Sequence, residues 1–95
     1  MIKKITQSKQ QAFCSYLTET ERSKATISKY VYDVSEFAEF IGNKNISKSV
    51  VVEFKSHLIE KFKPASVNSK LAAINSFLEF IGRSDCRVKP LKLQL

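Results

Sequence analysis

Cations and small hydrogen-bonding side chains gather where two helical segments of this chain begin. Lys24 and Lys29 stand at the start of one, and Lys63 and Lys70 at the start of the other, with Ser66, Asn68 and Ser69 between them. A lysine ammonium neutralises phosphate, while serine and asparagine hydrogen-bond to phosphate oxygens or base edges. The unsatisfied N–H groups and positive dipole end of a helix start favour an anion at the same place. This is chemistry for gripping a polyanion.

Chemistry for transforming a substrate is missing from the sequence. It holds no paired acids, glycine-rich phosphate loop or metal-ligand cluster. Tyr16, Tyr30 and Tyr32 fall inside or beside predicted helices with no Arg-His constellation around them, so none reads as a nucleophile. His57, the single histidine, falls on the polar side of its segment and reads as a surface residue. Cys14 and Cys86 stand alone and read as free thiols. No cofactor, metal or disulfide is expected.

Sixteen Lys and Arg against nine Asp and Glu give a net charge of +7 on 95 residues. A basic surplus of this size favours polyanionic partners. With 43% hydrophobic and 26% charged residues, the chain reads as one soluble globular domain. No apolar stretch reaches the length of a membrane span, and the first residues lack the apolar core of a signal peptide. A cytoplasmic protein without membrane contact, monomeric as an isolated domain, is the expectation.

Four helices must position the cations. Residues 24–42 and 64–82 are two versions of one helix at an offset of 40, with six of eighteen pairs from Ala25/Ala65 to Gly42/Gly82 identical and both copies ending in Phe-Ile-Gly. The apolar stripe of the earlier copy is Ile27, Val31, Val34, Ala38 and Ile41, widened by Tyr30 and Phe37; the later copy has Val67, Leu71, Ile74, Leu78 and Ile81. That is a helical period. Gly42 and Gly82 fall where left-handed caps belong, and Pro64 suits a first helical turn. A helix over about residues 7–20 points Phe13, Tyr16 and Leu17 inward. Another runs from about Lys48 to Phe62, capped by Ser47, with Val51, Phe54, Leu58 and Phe62 inward. Short polar connections give an all-α fold, a compact four-helix bundle of orthogonal or antiparallel helices over residues 1–82. After Gly82 the period is lost, and residues 83–95 read as a tail or the start of a linker.

The charges along these helices run against the helix dipole. An acid in the first turn or a base in the last contributes about 0.3–1 kcal/mol each. Lys24 and Lys29 nevertheless precede Glu36 and Glu39, Lys63 and Lys70 precede Glu79, and Lys9 precedes Glu19. A polyanion held at the helix starts gives this layout a use. In the last helix, with Val67, Leu71 and Ile74 inward, rotation by about 100° per residue turns Ser69, Ala72, Ala73 and Ser76 outward, with Asn68 and Asn75 on one flank. A small, uncharged face suits close approach to DNA or, alternatively, to another helix. The alternative function is therefore a helical protein-interaction module, docking a partner through this face or through the apolar tail residues Val88, Leu91, Leu93 and Leu95.

The pattern Thr26, Tyr30, Asp33, Val34, Phe37, followed by Ser66-Val67-Asn68-Ser69-Lys70-Leu71-Ala72-Ala73-Ile74-Asn75, resembles the N-terminal core-binding domain of tyrosine site-specific recombinases, the phage and transposon integrases. The resemblance spans about Gln11 to Pro90. It implies a SAM-like helical bundle that packs on one side of double-stranded DNA through its second and fourth helices, for DNA integration or recombination. Carried over residue by residue, it implies that Lys24, Thr26, Ser28 and Lys29 lie on the first DNA-facing element and Ser66, Asn68, Ser69, Lys70 and Asn75 on the second. Ser69 and Asn75 stand where the family commonly has Arg or Lys, and Lys63 and Lys70 are positioned to compensate. The resemblance further implies that the catalytic Arg, Lys, His and tyrosine belong to a domain outside this chain, which by itself is no enzyme, and that other recombinase protomers are partners of the intact protein.

Overall fold

A computed structural model describes residues 5–92. Among these residues the fold has four helices, α1 (Gln7–Glu19), α2 (Lys24–Ile41), α3 (Lys48–Lys61) and α4 (Pro64–Phe80), followed by a 3-10 turn, η1 (Ser84–Cys86). No strand is present among the described residues. The helix starts are fixed by local chemistry. Thr6, Ser23 and Ser47 each accept a hydrogen bond from the backbone N–H three residues on, while α4 opens on Pro64 and has no side-chain cap.

The two glycines end their helices differently. Gly82 is left-handed (φ +78°), with Arg83 N–H donating to the Leu78 carbonyl and Gly82 N–H to that of Glu79, the paired bonds of a Schellman cap. Gly42 has φ +60° and ψ −120°, and Lys44 N–H donates to the Ile41 carbonyl, so it occupies the second position of a type II′ turn rather than a left-handed cap. The end of α1 repeats the Schellman bonds without a glycine. There Glu21 takes φ +59°, Arg22 N–H donates to the Leu17 carbonyl and Glu21 N–H to that of Thr18.

The core is aromatic and shared by all four helices. Phe13, Phe37, Phe54 and Phe77 are fully or almost fully buried. Phe13 meets Phe77 edge-on at 5.3 Å, and Phe37 meets Phe54 at 5.0 Å, geometries that suit the ring quadrupoles. Helices α2 and α4 share the most extensive contact. Three side chains depart from expectation. Tyr16 is 40% exposed, lying along Phe13 and Phe80 at the rim. Phe62 is 38% exposed because α3 ends at Lys61 and the chain turns extended there. Ala73 is fully buried rather than outward, because α4 is packed on more than one side and its buried arc includes Phe77 as well as the Val67-Leu71-Ile74-Leu78 stripe.

Loss of helical period at Gly82 does not mark the end of the packed core. Cys86 is fully buried and Val88 is 7% exposed, so residues 83–92 lie against the bundle as a strap. Arg83 donates to the Ile46 carbonyl, tying the strap to the α2–α3 loop. Burial pushes the Cys86 thiol pKa upward despite the opposing charge of Arg83, leaving it in the unreactive thiol form. Leu91 also packs against the core, whereas Leu93 and Leu95 lie outside the described residues. Val88 and Leu91 are therefore not free to dock a partner.

Glu21 is the single non-glycine residue among those described that takes a left-handed backbone. Replacing it, Glu21→Gly, is expected to stabilise the domain by about 0.5–1 kcal/mol, read as a higher denaturation midpoint at unchanged m-value.

Candidate nucleic-acid interface

The largely apolar contact of α2 with α4 contains one polar cluster. Asp33, on the helix face that also carries Val34 and Phe37, is only 3% exposed and is the single buried charged residue among those described. Its carboxylate accepts from Lys29 Nζ at 2.5 Å, one turn earlier on α2, and from Lys70 Nζ at 3.2 Å, on α4. Lys70 also donates to Glu36 at 2.6 Å, and Lys29 reaches across to the Ser69 backbone carbonyl at 3.1 Å. Every bond but one in this set crosses between the two helices.

Burial satisfies rather than isolates these charges. The Lys70 side chain is 14% exposed and lies over the rings of Phe62 (4.9 Å) and Tyr32 (5.5 Å). Desolvation alone would lower its pKa, but the hydrogen bonds and charges of Glu36 and Asp33 outweigh it, and the pKa is raised. An ammonium so held is a structural cation.

The residues singled out in the sequence therefore divide into two groups. Lys24, Ser28, Lys63 and Ser66 are exposed, the first two early in α2 and the last two at the start of α4. Lys29, Ser66 and Ser69 line a shallow groove of about 240 Å³ together with Asp33 and Lys70. Thr26 is half-buried; its N–H donates to Ser23 Oγ, and its hydroxyl accepts from the Ser23 hydroxyl, so it serves the α2 cap. Lys70 was expected to offer its charge outward and instead turns it onto two carboxylates.

Asn68 and Asn75 also have internal partners. Asn68 donates to the Leu91 carbonyl at 2.9 Å and accepts from the Leu91 N–H at 2.7 Å. Asn75 does the same with Val88, at 2.8 and 3.0 Å. Each amide takes the place of a neighbouring strand for one residue of the strap. Sequence reasoning sets both asparagines on one flank and assigns them to DNA, whereas the structure turns both amides onto the strap backbone.

Sequence analysis gives Asp33 no role beyond its place in the family pattern, although one local signal of its site is present. Lys29 and Asp33 are an i, i+4 pair, legible as helix neighbours. Nothing local signals that Lys70, 37 residues later, completes the site.

Across residues 11–84, the sequence matches the family model for "Phage integrase, N-terminal SAM-like domain". The chain belongs to that family. No curated protein and no solved structure matched it. The match covers the SAM-like domain and no catalytic domain. It takes in both repeated helices and the whole α2–α4 contact of this integrase domain. No described helix is long and apolar enough to cross a membrane.

Asp33→Ala should destabilise this SAM-like domain by about 2 kcal/mol, less than for a fully buried pair because Lys29 can turn to solvent, as measured by urea denaturation. The raised pKa of Lys70 sets a pH dependence. Its contribution is fully present below the ordinary lysine range and is lost as pH rises through the folded-state value. Lys70→Met should remove that part of the alkaline loss of stability, seen as a shallower fall above about pH 10.

Proposed function

We propose that this domain docks on double-stranded DNA for a site-specific recombinase, with the first turns of α2 and α4 facing the phosphate backbone. The observation that carries the reading is the state of the helix starts. None of the four helices has an acid in its first turn, and α4 has no side-chain cap at all. Lys24 and Lys63 are exposed beside the two starts in question. An anion placed there meets free N–H groups, the dipole and a lysine together. Membership of the integrase family supplies the context in which that anion is DNA.

In this reading Lys24, Ser28, Lys63, Ser66 and Ser69 touch DNA directly, and Lys29 shares its charge between Asp33 and a nearby phosphate. Lys70, Asn68, Asn75 and Thr26 act one step back, by holding the helices, the strap and the α2 cap. Recombinase protomers and a separate catalytic domain are the partners of the intact enzyme.

A helical protein-interaction module is the second reading. One observation favours it: Val52 and Ile59, two turns apart on α3, are 44% and 46% exposed. Association through that ridge would appear as concentration-dependent dimerisation in sedimentation, abolished by Val52→Asp.

For the DNA reading, fluorescence anisotropy with a labelled duplex is the test. Lys24→Ala and Lys63→Ala should each weaken binding whatever the sequence and reduce the log–log salt slope by about 1. Unchanged affinity and slope in both would overturn it.

A further inference from the structure

Cations outside the α2 and α4 starts form a second group. Lys48 and Lys55 of α3 donate to the backbone carbonyls of Arg87 and Lys89, the latter at 2.6 Å, so both lie against the strap. These acceptors are neutral. Lys29 and Lys70 face carboxylates, whereas no carboxylate of the described residues pairs with Lys48, Lys55, Lys89 or Lys92. The strap's own acid is occupied, since Asp85 pairs with Arg83 at 3.1 Å; Arg87 in turn lies 3.3 Å from Glu79.

These charges are held in fixed places. Lys48 and Lys55 are two helical turns apart, about 10 Å along α3, comparable to the axial rise of three phosphates on one DNA strand. Backbone hydrogen bonds restrain both ammonium groups, and Asn68 and Asn75 hold the strap between α3 and α4. On α4 the two asparagines occupy one flank, and Ser66, Ser69 and Lys70 the other. The exposed alanines Ala65 and Ala72 lie between. A ridge of small side chains thus has a cationic border on the strap side, whereas on its other side Lys29 and Lys70 are balanced by Asp33 and Glu36.

We infer that the strap and α3 form a second phosphate-binding rail, with Lys48, Lys55, Lys89 and Lys92 contacting the sugar-phosphate backbone of a duplex whose groove receives α4. The inference rests on the DNA-docking reading and adds a surface that the helix starts do not supply. Asn68 and Asn75 are its positioning residues: they touch no DNA and keep Lys89 and Lys92 in line.

Anisotropy titration of this domain with a fluorescein-labelled mixed-sequence duplex, over a series of potassium chloride concentrations, tests the rail. Among the described residues, the Lys89 and Lys92 side chains make no hydrogen bond or ion pair, so Lys89→Gln with Lys92→Gln removes charge without disturbing packing. That variant should bind about tenfold more weakly, with a log–log salt slope shallower by about 2. Lys48→Gln with Lys55→Gln should lose at least as much. Asn68→Ala with Asn75→Ala should weaken binding while removing no charge, with a helical circular dichroism spectrum like that of the parent. Duplex binding by the parent that persists unchanged in both lysine variants, while Lys24→Ala and Lys63→Ala weaken it, would overturn the rail alone. Absence of duplex binding by the parent would overturn the docking reading and the rail with it.

Discussion

A carboxylate in the apolar contact between α2 and α4 governs the arrangement of this domain. Asp33 is nearly removed from solvent, and leaving it unpaired there would be costly. Its partners come from two helices, Lys29 from its own and Lys70 from α4, so the charge is satisfied only when the helices meet at one register. Apolar side chains such as Val34, Phe37, Leu71 and Ile74 supply non-directional attraction and tolerate small slides. The ion cluster does not. It fixes where the two uncapped or lysine-flanked helix starts stand relative to each other, and that relation is what an extended, regularly charged partner would read.

Lysines are used here in two different ways. Lys29 and Lys70 sit against carboxylates and stabilise the interior contact, at the cost of most of their outward field. Lys48 and Lys55 sit against carbonyl oxygens, a weaker but neutral restraint that leaves a full charge facing solvent. A net charge of +7 is therefore not spread evenly in effect. Exposed cations without a carboxylate partner among the described residues include those at the helix starts and along the strap, while the α2–α4 contact itself is close to neutralised.

Elements with a helical period were legible in the sequence, since Ser47, Pro64 and the apolar stripes fix α2, α3 and α4 by local rules. The strap was not. An extended segment whose partners are side chains on distant helices carries no period, and Val88 alone resembles any tail valine until Asn75 is placed opposite it. Ala73 was misplaced because one stripe of inward residues describes a helix packed on one side, and α4 is packed on several. Lys70 was read as a surface cation for a related reason: its charge suggests solvent, and only tertiary structure brings Asp33 and Glu36 to it. For the candidate site, sequence identified the residue types and the helices. It could not separate the side chains free to face DNA from those that hold the frame.

Amide chemical-shift mapping of the isotope-labelled domain, titrated with a short duplex at low salt, tests the DNA-facing geometry most directly. Perturbations should cluster at 24–29, 63–69 and 87–92 and at Lys48 and Lys55 on the strap side of α3, with the amides around Asp33 keeping the pattern of an intact ion cluster. Perturbations confined to the outer faces of α1 and α3, or none at concentrations where other basic domains of similar charge respond, would contradict it.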